Sequence, residues 1–234
     1  MKFCAIIPCY NHSDTLGAVL GGLPPGMDAL VVDDGSDEPV AARGAEVLRL
    51  PQNSGKAAAL KAGFAEAARR GFTHAITLDA DGQHDPALAA EFAAAAARSP
   101  QAAIVGVRDF SSPGIPRARR FMNRFSNFWF RAETGTPLRD TQCGFRCYPL
   151  RLVSMAKTGF GGYAYEAELL VKLRWMGAEI VQLEIPTIYT RESSLRSHYR
   201  PFADTVKFSA MNSKLFFQSL LLPRRILKKL ASKS

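Results

Sequence analysis

The sequence is poor in cysteine, which excludes several classes of protein. It has 4 cysteines in 234 residues, and they follow no pattern typical of a disulfide-stapled secreted domain. The N-terminus also lacks the basic, apolar and cleavable segments of a signal peptide, so we expect a reducing cytoplasm. Cys143 and Cys147 are four residues apart, but no second pair or nearby histidines complete a zinc site.

Acidic residues are scarce relative to basic ones. The chain has 21 Asp and Glu against 30 Lys and Arg, a formal charge of +9. Such an excess favours phosphorylated substrates, anionic lipid or nucleic acid as partners. The hydrophobic content of 47% is sufficient for a globular core. The length allows one α/β domain or two small ones.

Short apolar segments alternate with helical patterns through the first half of the chain. A helix is expected from about Ser13 or Asp14, another over 57–70 and a third from Pro86 to about Arg98. The expected strands are 3–8, 29–32, 45–50, 76–78, 103–107 and 180–185. This alternation predicts a single α/β domain with a doubly wound sheet.

The predicted strand that ends at Leu78 is followed directly by acidic residues. Asp79 and Asp81 stand one residue apart, and the amide side chain of Gln83 is close in sequence. Ligands bind beyond the carboxyl ends of strands in such sheets, and oxygen ligands suit a hard divalent cation. The alternative is a turn rich in Asp and Gly, with Asp85 capping the helix that begins at Pro86.

Two further segments have a composition that suits a nucleotide. Asp33 and Asp34 end the second predicted strand, where one carboxylate can accept hydrogen bonds from a base or a ribose, although a solvated turn is equally typical. Asn53 or Ser54 is expected to cap the helix that follows. The free amides of that helix, together with Lys56, favour an anion.

These segments together resemble the signature of family-two glycosyltransferases of the type A fold. The matching segments are Ile7-Pro8-Cys9-Tyr10-Asn11, Val32-Asp33-Asp34-Gly35-Ser36, Asn53-Ser54-Gly55-Lys56 and Asp79-Ala80-Asp81-Gly82-Gln83-His84. The chain is most similar to the dolichol-phosphate mannose synthase and polyprenyl-phosphate glycosyltransferase branch, over about residues 3–195.

The resemblance implies a nucleoside diphosphate sugar as donor, carrying either UDP or GDP. It implies a Mg or Mn ion held by Asp79, Asp81 and Gln83, with the base bound near Asp34. The remaining donor-binding residues that it implies are Pro8, Tyr10, Asn11, Asn53, Lys56, Ala80, Arg146 and Glu166.

Catalytic roles are implied for Asp81, Asp140 and Arg191. The segment Asp140–Arg146 resembles the family motif beside the donor sugar, with Cys143 where the family usually has serine or threonine. Asp140 is the natural general base if the acceptor is a hydroxyl, whereas a phosphate acceptor needs none. Arg191 resembles the family's arginine ahead of a serine-rich loop. Glu168 is interpreted as ordinary surface charge.

Four arginines fall on one stripe of a predicted helix, at positions 117, 120, 124 and 131. The adjoining stripe is aromatic and consists of Phe121, Phe125, Phe128 and Trp129. An arginine face beside an aromatic face suits a membrane surface, although an ordinary half-buried helix has the same pattern. In the family, arginines of this region hold the acceptor's lipid phosphate, so Arg117, Arg120, Arg124 and Arg131 are candidates for that role.

Residues 201–234 are predicted to form a basic amphipathic extension of a catalytic domain at 1–200. Pro223 interrupts the helical pattern, and the segment 215–222 is too short to span a bilayer. Basic clusters beside apolar faces attract anionic lipid, so we expect peripheral attachment to the cytoplasmic face of a membrane. Because no aromatic residues interleave with the basic ones after Phe217, we do not expect nucleic acid to bind.

The sequence therefore predicts a metal-dependent inverting glycosyltransferase that acts on polyprenyl phosphate. A hydroxyl acceptor is one alternative, and a peripheral membrane nucleotide-binding module without catalysis is another. Nucleotidyl transfer is disfavoured because the first strand lacks a triphosphate-binding loop rich in glycine and arginine. The sequence leaves open the base, the sugar and the oligomeric state.

Overall fold

Seven strands form one mixed sheet in the computed structural model, which describes residues 1–110, 115–186 and 201–231. The strands are β1 (Phe3–Cys9), β2 (Asp28–Asp33), β3 (Glu46–Arg49), β4 (His74–Thr77), β5 (Ala103–Arg108), β6 (Arg146–Pro149) and β7 (Ile180–Ile185). Their order across the sheet is β3-β2-β1-β4-β6-β5-β7.

Helices cover both faces of this sheet. They are α1 (Ser13–Gly21), α2 (Lys56–Arg69), α3 (Ala89–Arg98), α4 (Arg117–Thr134), α5 (Leu150–Met155), α6 (Tyr163–Trp175), α7 (Pro201–Leu221) and α8 (Arg224–Ala231). Asp85 accepts a hydrogen bond from the amide of Ala87 and so caps the 3₁₀ turn that leads into α3, as expected from the sequence.

Successive side chains of β1 enter two different cores. Cys4 and Ile6 pack with buried residues of α2, α6 and α7, whereas Ala5 and Ile7 pack with those of α1 and α3. This alternation follows from the two-residue period of a strand. Because each face is apolar and covered, the doubly wound α/β fold expected from the sequence is confirmed.

The strand β6 lies outside the strands expected from the sequence and runs against its neighbours. It pairs antiparallel with β4 and β5, with Arg146 opposite Thr77. Its four residues begin with a charged side chain, which gives no apolar strand signal. Since β6 is antiparallel, its first residue lies at the edge where the parallel strands end. The segment before it, 140–145, is thereby brought to that edge.

The C-terminal helices fold onto the domain. Met211 and Leu215 of α7 are fully buried, and Leu227 and Ala231 of α8 are buried as well. The amide of Lys157 donates to the carbonyl of Ala231 at 2.7 Å. The interruption predicted at Pro223 is confirmed. Among the described residues, no helix has the length and apolarity needed to cross a membrane.

Gly63 lets α2 lie close to β1, and its substitution tests that packing. A Cβ atom at this position would lie 2.7 Å from Cγ2 of Ile6 and 3.0 Å from Cγ2 of Val32. We expect Gly63→Ala to lower the free energy of unfolding by about 1–3 kcal/mol, because the buried strand residues cannot withdraw. Denaturant unfolding followed by circular dichroism measures it.

Gly17 provides the matched control for this prediction. It lies in α1, and a Cβ atom at this position would meet nothing within 4 Å beyond the helix's own backbone. Gly17→Ala should stabilise the fold by up to about 1 kcal/mol through helix propensity alone. Equal stability of Gly63→Ala and the unmodified protein would contradict the close packing.

Candidate active site

The sequence motifs meet at the carboxyl edge of the sheet and are tied to one another. The amide of Asn11 donates to Oγ of Ser36 at 3.0 Å, which joins the first motif to the second. Thr77 Oγ1 donates to the carbonyl of Gly144 at 2.9 Å, which joins the strand before Asp79 to the segment before β6. Separate stretches of sequence therefore form one site.

The two aspartates at the end of β2, Asp33 and Asp34, are both buried. Asp33 accepts from Nη1 of Arg49 at 2.6 Å and from the amide of Ser36 at 2.9 Å. Burial opposes the charge of Asp33, but these donors outweigh it and hold its pKa below the ordinary value. Asp34 accepts from the amides of Ser54 and Gly55 at 2.9 and 2.7 Å.

The prediction that Asn53 or Ser54 caps α2 is wrong. The N-cap is Gly55, with φ of +86° and no side-chain capping hydrogen bond. Asn53 instead accepts from the amide of Gly55, at 3.1 Å. The loop also requires Gly35, since a Cβ atom there would lie 2.5 Å from the carbonyl carbon of Gln52. The anion held by this loop in the structure is the carboxylate of Asp34.

Lys56 lies between two carboxylates from different motifs. Its Nζ is 2.7 Å from Oδ1 of Asp79 and 3.0 Å from Oε2 of Glu166. Burial opposes the charge of Lys56, but Asp79 and Glu166 outweigh it and raise its pKa. The pKa of Asp79 is lowered, because Lys56 outweighs the effect of burial. This junction joins the start of α2, the loop after β4 and the first turn of α6.

The loop after β4 fits a divalent cation. Asp81 Oδ1 accepts from the amide of Gln83 at 3.0 Å. Burial, and then the nearby charge of Asp79, raise the pKa of Asp81. The ammonium group of Lys56 lies 2.7 Å from Oδ1 of Asp79, which shows that this carboxylate attracts a positive charge. Two carboxylates and an amide leave coordination positions for phosphates and water, as Mg²⁺ and Mn²⁺ require.

No group of three or more His, Cys, Asp or Glu side chains suits a metal ion within the described ranges. Cys143 and Cys147 are buried, and burial raises the pKa of each thiol to about 12.

The remaining residues predicted in the first and fourth motifs lie around this loop. Pro8 is half-buried in β1 and pairs with Val32 of β2. Tyr10 is half-buried at the end of the same strand. Ala80 is buried, and its carbonyl accepts from Oγ1 of Thr15 at 2.6 Å, which fixes the loop against α1.

Asp140 is completely enclosed by donors. Arg108 donates to it through its amide, Nε and Nη2, at 3.2, 2.7 and 3.0 Å. Asn123 Nδ2 and the amide of Gln142 donate to Oδ1 at 2.7 and 3.1 Å. The side chain has no exposed surface. It would have to lose these contacts before it could accept a proton from a hydroxyl.

Arg146 holds the segment that precedes it. Its guanidinium is fully buried and donates to the carbonyls of Thr141, Cys143 and Glu166 and to the hydroxyl of Tyr148. The thiol of Cys143 packs in the core beside Gly106. In the structure Arg146 fixes the backbone of the segment from Thr141 to Cys143 by these hydrogen bonds.

The interpretation of Glu168 as surface charge is wrong. The side chain is buried, and Oε2 accepts from the amides of Gly159 and Phe160 at 2.9 Å each. Its position in the first turns of α6 hid this role, since acidic residues are common there. Arg191 lies outside the described residues, as do Arg196 and His198 of the serine-rich loop.

A cavity of about 850 Å³ opens at the ends of β5 and β7, next to α4. Two of the four predicted arginines, Arg120 and Arg124, line it, whereas Arg117 and Arg131 do not. Arg108 and Arg139 line it as well and were missed by the sequence reasoning. The position of Arg108 at the end of an apolar strand could have indicated it, by the argument used for Asp79. Asp109 and Glu184 are the acidic residues in the lining.

The aromatic side chains of α4 differ in exposure. Phe121 and Phe128 are 65% and 63% exposed, whereas Phe125 and Trp129 are half-buried. Trp129 packs edge-on against Phe216 of α7, with 5.5 Å between ring centroids. Among the described side chains of α7, the large apolar ones that are exposed are Phe217, Leu220 and Leu221. We call Phe121, Phe128, Phe217, Leu220 and Leu221 the apolar patch.

The chain matches a known family over most of its length. The profile of the family described as Glycosyl transferase family 2 covers residues 4–160. The undecaprenyl-phosphate mannosyltransferase of Micrococcus luteus is 28% identical over 210 residues, 82% of this chain and 85% of that protein. The polyprenol monophosphomannose synthase of Mycolicibacterium smegmatis is 28% identical over 204 residues, 79% of this chain and 76% of that protein.

A solved structure confirms the fold. It is the glucosyl-3-phosphoglycerate synthase of Mycobacterium tuberculosis, in complex with Mn²⁺, UDP and phosphoglyceric acid. The TM-score is 0.62 at 16% identity, covering 95% of this chain and 79% of that chain. The expected glycosyltransferase type A fold is thereby shown.

The buried pair of Arg108 and Asp140 gives a test of how this site is held together. Arg108→Met leaves a carboxylate without its main partner in a place with no exposed surface. We expect a loss of about 3–5 kcal/mol in the free energy of unfolding at pH 7, measured by denaturant titration.

Arg139→Met is the control, because the pair of Arg139 and Glu184 is exposed on both sides, at 57% and 78%. It should cost less than about 1 kcal/mol. Equal effects of the two substitutions would show that Asp140 does not depend on Arg108.

Proposed function

This chain belongs to glycosyl transferase family 2, and we propose that it transfers a sugar from a nucleoside diphosphate sugar to a polyprenyl phosphate with inversion. It is a glycosyltransferase by family. One relative is named as an undecaprenyl-phosphate mannosyltransferase and another as a polyprenol monophosphomannose synthase, which supports a lipid-linked acceptor here.

The donor half of the proposal depends on the loop after β4. Asp79 and Asp81 would hold a Mg or Mn ion, with the amide side chain of Gln83 beside them. The ion would supply positive charge to neutralise the departing diphosphate. Lys56 adds a further positive charge next to Asp79. The Mn²⁺ and UDP in the M. tuberculosis structure support this assignment.

The observation that carries the acceptor half is the enclosure of Asp140. A hydroxyl acceptor needs a base, but all the acceptor positions of Asp140 face donors in the structure. A phosphate oxygen is already anionic and attacks without one. The cavity that Arg120 and Arg124 line supplies positive charge for such a phosphate.

The cavity adjoins the donor side through Arg108. This side chain lines the cavity, is paired with Asp140, and is close enough to Asp79 for its charge to lower the pKa of that carboxyl. An acceptor phosphate in the cavity would therefore be held near the donor, as an in-line transfer requires.

The apolar patch supports the proposal that the protein acts at a membrane surface. We propose that this surface is the cytoplasmic face. Its side chains are large, apolar and exposed on two packed helices. Exposed basic residues follow on α8, among them Arg224, Arg225 and Lys229. Apolar side chains beside basic ones match the acyl boundary and the anionic headgroups of a bilayer.

Asp81→Asn tests the donor site. Isothermal titration with UDP and with GDP, each with and without Mn²⁺ or Mg²⁺, should show metal-dependent binding of one nucleotide to the unmodified protein. We expect the substitution to weaken that binding by about a hundredfold or more, since it removes the charge of a direct ligand. Asp85→Asn is the control, because asparagine keeps the helix cap in the same loop. Unchanged affinity in Asp81→Asn would remove the metal assignment.

Phe128→Ser with Leu221→Ser tests the membrane surface. Each substitution removes an exposed side chain of the apolar patch, at 63% and 72% exposure. Binding to sedimented vesicles of phosphatidylcholine and phosphatidylglycerol should fall at least about tenfold, given about 1.5–3 kcal/mol for burying each side chain.

Met155→Ser is the control for vesicle binding, since Met155 is exposed outside the patch. Removing residues from Leu215 onward is unsuitable for this purpose because Leu215 is fully buried in the core. Vesicle binding that is equal in the double variant and the control would leave the apolar patch without this role.

A further inference from the structure

Lys56 contacts the same carboxylate that a metal ion would bind. Its Nζ is 2.7 Å from Oδ1 of Asp79, the carboxylate assigned to the metal. A divalent ion on the same carboxylate brings like charge close to the ammonium group. Coulomb repulsion at such a distance is substantial in a partly buried site. Metal binding without further negative charge is therefore opposed by Lys56.

Glu166 has a second carboxylate oxygen to which Lys56 can donate. Oε2 of Glu166 is 3.0 Å from Nζ, and the other oxygen, Oε1, is buried and has no hydrogen-bond partner. A buried carboxylate oxygen without a donor is costly. If Lys56 leaves Asp79, it can remain paired with Glu166 and donate to this oxygen. The ammonium then stays compensated while Asp79 becomes available.

We propose that Lys56 makes metal binding depend on the diphosphate of the donor. In the nucleotide-free protein Lys56 neutralises Asp79. When a metal and a diphosphate arrive together, Lys56 moves its contact from Asp79 to the phosphate oxygens and keeps its contact with Glu166. Asp79 then binds the metal, and the negative charge of the diphosphate compensates both cations. This inference rests on the proposed donor site.

The consequence is a measurable coupling between two ligands. Because the coupling is reciprocal, nucleotide must strengthen metal binding by the same factor as metal strengthens nucleotide binding. The removal of a merely structural lysine would leave this coupling unchanged, whereas the removal of Lys56 should reduce it.

The experiment measures free Mn²⁺ by electron paramagnetic resonance during titration of the protein, with and without saturating UDP or GDP. In the unmodified protein we expect nucleotide to tighten Mn²⁺ binding by about tenfold or more. In Lys56→Met, Mn²⁺ alone should bind about tenfold tighter than in the unmodified protein. The nucleotide effect in this variant should fall by about tenfold, to the part that direct contact between the diphosphate and the metal supplies.

Lys61→Met is the matched control. Lys61 is an exposed residue of the same helix, with its Nζ 4.8 Å from the ring centroid of Tyr165. Its removal changes the net charge of α2 equally and should leave the Mn²⁺ affinity and the nucleotide effect unchanged. Equal behaviour of the Lys56 and Lys61 variants overturns the inference and leaves the proposed function standing.

Glu166→Gln decides the question if Lys56→Met does not fold, as judged by circular dichroism. Without the charge of Glu166, Lys56 is held by Asp79 alone, so Mn²⁺ alone should bind about threefold weaker. Unchanged Mn²⁺ affinity in this variant overturns the inference. Absence of any metal-dependent nucleotide binding in the unmodified protein overturns both the inference and the proposed donor site.

Discussion

The ammonium group of Lys56, held between Asp79 and Glu166, is the interaction on which the site depends. Its contacts join the start of α2, the loop after β4 and the first turn of α6, which are far apart in sequence. Lys56 and Asp79 are partly buried, so Lys56 can leave Asp79 only when another charge compensates that carboxylate. Gly144 shows how closely the surroundings fit, because a Cβ atom there would lie 2.8 Å from Oδ2 of Asp79.

The short antiparallel strand β6 brings a second ionic pair, Arg108 and Asp140, to the same edge of the sheet. A sheet with parallel strands alone would place the start of β6 at the opposite edge from the end of β4. Because β6 runs against β4, the segment that contains Asp140 and Gly144 enters the edge where β4 and β5 end. Asp140 then meets Arg108 at the end of β5, and Arg146 fixes the segment through backbone carbonyls. The ionic junction of Arg108 and Asp140 thus follows from the direction of one strand.

The sequence was sufficient to locate the site at the carboxyl edge of the sheet. It was not sufficient to predict which side chains of the site pair with one another. Asp79 was predictable because an apolar strand stops directly before it, and such strands end together. The same reasoning does not reveal that Asp34 holds the amides of Ser54 and Gly55, or that Asp140 and Arg146 are enclosed. Those contacts join residues of distant segments, so residue type alone cannot distinguish a ligand-binding carboxylate from one that holds a loop. The interpretation of Glu168 failed for the same reason.

Helix α4 contributes residues both to the cavity and to the apolar patch. Arg120 and Arg124 line the cavity, and the next residue in sequence after Arg120 is the exposed Phe121. One residue of a helix turns the side chain by about 100°, so adjacent positions serve different surfaces. Phe128 lies seven residues beyond Phe121 and extends the exposed face, where α7 adds further apolar side chains. A phosphate at the arginines and an acyl chain at the phenylalanines would contact a single rigid element. That arrangement favours an acceptor with both parts over a small sugar phosphate, because a soluble acceptor would leave the apolar patch exposed to water.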